Sequence, residues 1–588
     1  MKCFKKSKSD ADDDEPDHAL LYGIDEVPAW YTCIGLGFQH YLTMLGSNIA
    51  VPLILAEGFC LQNNNLAKSE IISTIFFVGG IVTLLQTSIG VRLPIVQGAA
   101  FSFLAPTLAL LSSPKWKCNA NNLTENNTDD WQAAMREVQG SIMVASSVQF
   151  IIGITGAIGF LMKYIGPLTV APTVTLVGLS LFGASADSFA GKHWGIAVMT
   201  IGLIIIFSQH IRTVPLPFPY YARGKGMKVS WIKIFSLYPI LLAICVVWGF
   251  CGILTATDVF PTNSTSYGYE ARTDIRLGVL QEAAWFRVPY PGQWGLPTVS
   301  LSGVLGMISG VLASIIESIG DYYACARLCG ISAPPKHALN RGILVEGVGC
   351  LFAGAWGSGS GTTSYSENIG AIGVTKVGSR RVVQTGACLM IILAVIGKFG
   401  ALFTTIPDPI VGGMFCVMFG MIAAVGMSNL QFVDLNSTRN LLIMGFATFM
   451  GIAVPEWVKK NEELISTGIP ELDQVFLVLL QTGMFVAGFL GFLLDNTIPG
   501  TKKERGLLTW NKVQDDEEQI DGISMPASHY DLPFGNCGCM KNNRCNNFMK
   551  YIPICPAFGK DTKPKDKDVT MENGIAIHEF DLPESTRL

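Results

Sequence analysis

Apolar stretches of spanning length recur along this chain, divided by short polar segments. The runs Ile71 to Ile89, Gly140 to Phe160 and Val475 to Leu494 each approach the roughly 20 residues that a helix needs to cross a bilayer core. Read this way throughout, the chain predicts fourteen spans, near 30–55, 70–89, 93–112, 140–162, 166–185, 194–210, 231–256, 299–322, 342–358, 363–375, 382–404, 408–428, 438–456 and 472–495. An even count returns both termini to one side. Residues 1–29 are a polar, acidic tail without the apolar run of a cleavable signal peptide, so the first span serves as the internal signal. Residues 258–298 form a long loop between spans. Residues 499–588 read as a cytoplasmic, largely disordered tail.

Composition narrows the class. The 588 residues are 49% hydrophobic and 15% charged, against about 25% charged in soluble domains, and mean hydropathy is +0.40. The fold class is an all-α polytopic membrane protein. A net charge of −4 gives no reason to expect a nucleic-acid partner. The 62 glycines and 29 prolines fall largely inside apolar segments, which suits close helix packing and broken helices. Most of the 15 cysteines lie in spans. Cys60 and Cys118 both fall on the predicted outer side, where a disulfide is feasible. Cys537, Cys539, Cys545 and Cys555 cluster among basic residues in the tail, a setting for palmitoylation, with no modification as the default.

Sequons and charge orient the chain. Asn122 and Asn126 lie in the loop after the third span and Asn263 after the seventh. With a cytoplasmic N-terminus all three become extracellular glycan acceptors, whereas Asn436 is cytoplasmic and unused. Short cytoplasmic loops hold roughly fourteen Lys/Arg against about ten outside. The expected location is the plasma membrane with both termini cytoplasmic, and the apical face if the cell is polarised.

Two spans are poor helices. Leu93 to Phe103 is interrupted by Pro94, Gln97 and Gly98, and Gly361 to Asn368 is more polar still. Each is third in its half of seven spans. Duplication of an odd unit gives oppositely oriented halves, and inverted repeats place the substrate at the midplane in broken helices. Extended backbone is tolerated there when it lines a cavity or pairs, so two short antiparallel strands in segments 3 and 10, each leading into a half-helix, are expected. Half-helix N-termini aim N–H groups at ligand carbonyls. Glu317, Asp321 and Glu367 lie in this region, and intramembrane carboxylates mark ion and substrate sites.

At these residues the sequence resembles the nucleobase–ascorbate transporter family, over roughly residues 27–510. The resemblance rests on Gln39-His40, on Glu317 with Asp321, on Glu367-Asn368 with Gly370 and Thr375-Lys376, and on Val377 to Arg381 and Asp408 to Phe415, which look like the vertebrate sodium-coupled branch. It implies a seven-plus-seven inverted repeat, with a core domain of residues 30–162 and 299–404 and a gate domain of 163–257 and 405–498. It also implies a homodimer and elevator-like movement of the core. Carried over by motif, Glu317, Glu367, Phe101, Ala100, Ser366 and Asn368 bind substrate. Asp321, Asn368 and Thr375 serve ion coupling, with sodium near Asp321, and Gln39 and His40 are supports.

Glu367 bears on the substrate. Ascorbate carriers of the family usually show Pro-Asn where this chain has Glu367-Asn368; nucleobase carriers show Glu or Gln. Ascorbate is a monoanion at neutral pH, and a second pocket carboxylate repels it at low dielectric. Uracil, thymine, hypoxanthine, xanthine and guanine are neutral and present ring N–H donors that carboxylates accept. The expected function is sodium-coupled nucleobase import; the alternative is sodium-dependent ascorbate transport. Glu317 and Asp321, four residues apart on one helix face, repel each other unless a cation or a proton intervenes, and the branch resemblance favours sodium. Phe101 either stacks on the flat substrate ring or packs within the protein. The last residues, with Thr586 and Leu588, match a PDZ ligand and imply a scaffold partner. A channel predicts polar lining along a continuous path, and a receptor or scaffold leaves the carboxylates unused. No enzyme constellation appears in the soluble parts.

Overall fold

The computed structural model describes residues 20–62, 64–118, 128–159, 164–222, 226–501, 503–507 and 527–532. The chain opens with two long helices, α1 (Trp30–Gly58) and α2 (Asn65–Ser88). Asn64 starts α2 by accepting a hydrogen bond from the Ala67 amide at 2.9 Å, which satisfies one of the free N–H groups of its first turn. Strand β1 (Gln97–Ala99) follows, then a 3₁₀ turn (Phe101–Phe103) that continues into α3 (Leu104–Leu111). Next come α4 (Thr128–Thr155), α5 (Pro167–Leu179) and α6 (Trp194–Ile205). Strands β2 (Leu216–Ala222) and β3 (Gly226–Ile232) form a hairpin before α7 (Pro239–Ala256).

The second half begins with α8 (Leu301–Leu328), capped by Ser300, and α9 (Lys336–Trp356). Strand β4 (Thr362–Ser364) leads into α10 (Ser366–Thr375). After it come α11 (Arg380–Val395), α12 (Gly397–Thr404), α13 (Asp408–Ser428), α14 (Thr438–Lys460), α15 (Pro470–Gln481) and α16 (Gly483–Thr497).

Among the described residues, nine helices are long and apolar enough to cross a membrane. The other five predicted segments are short or broken. The third and tenth divide into strand plus half-helix, and the sixth is a short helix extended to His210. The eleventh breaks between α11 and α12, and the fourteenth bends by 82° between α15 and α16. The predicted seventh segment began too early, because residues to Ile232 belong to the hairpin.

Strands β1 and β4 pair antiparallel, with Gln97 opposite Ser364, Gly98 opposite Thr363 and Ala99 opposite Thr362. The amide of Ala100 extends the ladder by donating to the Gly361 carbonyl at 2.9 Å, and that of Tyr365 by donating to Val96 at 3.1 Å. Each strand runs directly into a helix, so the antiparallel pairing sends α3 and α10 away from the crossing in opposite directions, with both N-termini at the crossing. Gly98 is required there. A Cβ at this position would lie 2.5 Å from the Tyr365 ring and 2.6 Å from Asn48 Oδ1.

Helix α1 packs against α11 with glycine on both sides, and a Cβ on Gly37 would meet the Gly386 amide nitrogen at 2.8 Å. A Cys60–Cys118 disulfide ties the end of α1 to the segment after α3. On α16, Asp495 is excluded from solvent and meets Arg439 at 3.0 Å and Arg505 at 2.9 Å. Removing one partner of a buried ion pair strands the other charges, at about 3–5 kcal/mol. Asp495→Ala is therefore expected to lower the thermal melting point of detergent-solubilised protein. An unchanged melting point would refute that role.

The C-terminal tail is not wholly extended. Arg505 reaches Asp495, and Ala527–Tyr530 docks back on the helices. Tyr530 is buried; its carbonyl accepts from Arg341 at 2.5 Å and its hydroxyl donates to the Ser332 carbonyl at 2.7 Å. Asn263 is exposed on its loop. Asn122, Asn126, Thr586, Leu588 and the four tail cysteines lie outside the described residues.

Candidate functional site

The carboxylates converge on the strand crossing. Glu317 and Asp321 occupy one face of α8, and Glu367 sits in the first turn of α10. Asp321 is buried, and each of its oxygens accepts a serine hydroxyl at 2.6 Å, Ser364 on Oδ2 and Ser366 on Oδ1. Glu367 is half-buried and accepts from Ser47 on α1 at 3.1 Å. Glu317 is also half-buried and makes no hydrogen bond among the described residues, while lying within electrostatic reach of Asp321 and Glu367. Among the described residues, none of these carboxylates is paired with Lys, Arg or His, and no three acidic, His or Cys side chains are gathered closely enough to hold a metal ion by themselves.

Helix α1 holds the crossing in place. Asn48 Oδ1 accepts from the Ala99 amide at 2.9 Å and from the Tyr365 hydroxyl at 2.8 Å. That hydroxyl also lies 2.9 Å from the Ala99 carbonyl. Asn368 donates to the His40 carbonyl at 2.8 Å, with the His40 ring at 3.3 Å. His40 and Gln39 are both buried, so His40 anchors the start of α10 to α1.

Several predicted roles change. Ala100 is fully buried, and its amide is already bonded to Gly361, so it builds the crossing and has no N–H to offer a ligand. Ser366 donates its hydroxyl to Asp321 at 2.6 Å, which turns that hydroxyl toward α8. Asn368 faces His40. Thr375 closes the far end of α10, where its hydroxyl donates to the Ala371 carbonyl at 2.9 Å and accepts from the Val377 amide at 3.3 Å. At 1.5 Å per residue it lies about 13 Å from Ser366, too far to reach a cation at Asp321. The Phe101 ring packs edge-on against Phe419 of α13, with centroids 5.8 Å apart.

Other residues at the site are not marked by any motif in the sequence. Ser47 and Asn48 are a polar pair within an apolar span. Glu346, on α9, is a fourth intramembrane carboxylate with zero exposure, and the cost of acids at bilayer depth was signal enough to find it. An apolar crevice lined by Leu45, Ile49, Ile244, Trp248, Ile410 and Met414 runs between α1, α7 and α13. It presents no polar group, so the carboxylate cluster is the better candidate for ligand recognition.

Comparison with known proteins places this geometry. Residues 32–460 match a family described as the Permease family. The chain is 35% identical to "Nucleobase-ascorbate transporter 1" of Arabidopsis thaliana, over 88% of this chain and 96% of that protein. The chain belongs to the nucleobase–ascorbate transporter family. This transporter is 53% identical to "Solute carrier family 23 member 2" of Rattus norvegicus, over 92% of this chain and 83% of that protein. It is 51% identical to "Solute carrier family 23 member 1" of the same organism, over 95% and 92%. Those relatives place the transporter in the vertebrate branch of the family. Among solved structures, "The transmembrane domain of a cyanobacterium bicarbonate transporter BicA" aligns over 76% of this chain and 96% of that chain, with 13% identity and a TM-score of 0.44. The protein is a multi-pass membrane transporter that takes a small-molecule substrate, not an enzyme.

Proposed function

We propose that this chain is a sodium-coupled importer of nucleobases at the plasma membrane, with both termini cytoplasmic. The observation that carries the reading is the charge of the site: Glu317, Asp321 and Glu367 surround the crossing without a basic partner among the described residues. Such a site disfavours an organic anion in a low-dielectric interior. It suits a neutral planar ring whose N–H groups donate to Glu317 and Glu367 while the first-turn amides of α10 donate to its carbonyls. Sodium, a hard cation that favours oxygen ligands, takes its place beside Asp321 with the Ser364 and Ser366 hydroxyls as further donors. Binding of the cation offsets the repulsion between the carboxylates, and so prepares the substrate site.

The halves of seven spans, the division into core and gate domains, elevator-type movement of the core, the homodimer and a PDZ scaffold at Thr586 and Leu588 belong to the same reading. The strand crossing with its opposed half-helices supports the inverted repeat. The contact of Phe101 with Phe419 gives a place where core and gate meet.

Kinship supports a second reading, sodium-dependent ascorbate transport, better than it supports the first. The 51–53% identity to solute carrier family 23 members and the overall resemblance to ascorbate carriers favour it. Uptake of labelled uracil, hypoxanthine and ascorbate, in sodium and in choline medium, separates the two. Sodium-dependent nucleobase uptake without ascorbate uptake is expected, and ascorbate uptake alone would overturn the substrate assignment. Ser47→Ala, which removes a hydrogen bond to a charged group of about 1.5 kcal/mol, is expected to raise the KM for uracil roughly tenfold without moving the sodium activation curve. A KM within twofold of wild type would remove Ser47 from the site.

A further inference from the structure

The fourth carboxylate, Glu346, has no role in the site as described, yet it is the one most completely surrounded by donors. Four neutral groups meet its two oxygens. Ser314 Oγ at 2.8 Å and Gln149 Nε2 at 3.0 Å donate to Oε1, and Ser318 Oγ at 2.5 Å and the Tyr322 hydroxyl at 3.1 Å donate to Oε2. Gln86 donates to the Tyr322 oxygen at 2.5 Å, which leaves the Tyr322 proton for Glu346. An ionised carboxylate has about four lone-pair sites and no proton. The four donors fill them, whereas a protonated carboxyl would set its own proton against one of the four. This is the environment of a buried anion, and among the described residues it has no cationic partner. A buried charge held in this way costs folding energy that an amide or an alkyl chain of the same size would avoid.

Ser318 connects this anion to Asp321. Its hydroxyl lies 3.1 Å from Ser364 Oγ, and Ser364 reaches Asp321 at 2.6 Å. Each hydroxyl has one proton. The shortest contacts direct the Ser318 proton to Glu346 and the Ser364 proton to Asp321, so Ser318 Oγ turns its lone pairs toward the Thr363 hydroxyl at 3.1 Å and the Ser364 amide at 3.5 Å, and the Ser364 oxygen it holds in place keeps a lone pair for a cation. Glu346 also lies within electrostatic reach of Glu317.

We infer that Glu346 is a positioning residue for the coupling cation: its fixed negative charge and its hold on Ser318 orient the Ser318 and Ser364 oxygens and raise the affinity for sodium beside Asp321. The inference rests on the sodium-coupled reading above. It acts through Ser318 and Ser364 and requires no contact between Glu346 and substrate.

The test is the sodium activation curve of initial uptake in cells expressing the full chain, normalised to surface density. Labelled uracil is the probe, or ascorbate if that is the molecule carried. Glu346→Gln is expected to raise the half-activating sodium concentration about tenfold, the size of one charge acting at an effective dielectric near 20, and to change it more than it changes the maximal rate. Ser318→Ala keeps the charge and breaks the link, and is expected to raise the half-activating concentration about threefold. It also carries the test if Glu346→Gln fails to reach the surface. A purely structural Glu346 predicts a lower maximal rate with the half-activating concentration unmoved in both variants, and that result overturns the inference while leaving sodium coupling intact. Wild-type uptake equal in sodium and choline overturns sodium coupling and this inference together.

Discussion

Cells expressing Glu367→Ala are expected to take up uracil at about one-hundredth of the wild-type rate at equal surface density. Glu367 sits in the first turn of α10, where the strand crossing delivers it, and Ser47 on α1 holds one of its oxygens at 3.1 Å. In the proposed complex its carboxylate accepts a ring N–H. Losing a hydrogen bond to a charged group costs about 1.5–3 kcal/mol, or roughly ten- to a hundredfold, and the substitution also leaves the Ser47 hydroxyl and the ring donor unpaired. Sites built to hydrogen-bond a substrate lose the most when one of their groups is missing. Glu367→Gln retains an acceptor oxygen and is expected to lose less. Initial-rate uptake with surface labelling reads both variants. Uracil uptake by Glu367→Ala within threefold of wild type would remove Glu367 from substrate recognition and leave kinship, with its preference for ascorbate, as the better guide.

The second large effect is expected at Asp321. Asp321→Asn keeps the shape of the side chain but removes the charge, and only one of its two terminal atoms accepts. The Ser364 and Ser366 hydroxyls, each now 2.6 Å from a carboxylate oxygen, cannot both be satisfied as before. A cation beside this group loses its closest negative charge, so sodium-stimulated uptake is expected to fall below about one-hundredth of wild type, in line with a loss of roughly 3 kcal/mol for one charged contact. Binding of labelled uracil to purified protein, with and without sodium, separates coupling from substrate contact. Residual binding that no longer responds to sodium is expected. Uptake that keeps its sodium stimulation would exclude Asp321 as the coupling residue.

The two effects differ in how much of each was readable beforehand. The broken third and tenth segments were legible because proline, glycine and polar residues cannot continue a lipid-facing helix, and Glu317 and Asp321 shared a face by their four-residue spacing. The acids stood out because charge at bilayer depth is expensive. Glu346 carries the same signal of cost, but a lone acid in an otherwise ordinary segment shows no pattern with its neighbours. Thr375 shows the opposite limit: a motif groups residues by sequence, while ten residues of helix put Thr375 about 13 Å from Ser366.

Hydropathy and helix-breaking residues act locally, and they alone specify a many-span membrane protein with two interrupted segments and a cluster of intramembrane carboxylates. What those carboxylates touch follows from the packing of distant helices. Ser47 and Glu367 are 320 residues apart in the chain, Gln149 and Glu346 are 197 apart, and Tyr530 lies 198 residues beyond Ser332. Local pattern carries no information about such pairs. They form because buried donors and acceptors excluded from water must find partners across the fold, and which partner each one finds is set by how the helices pack.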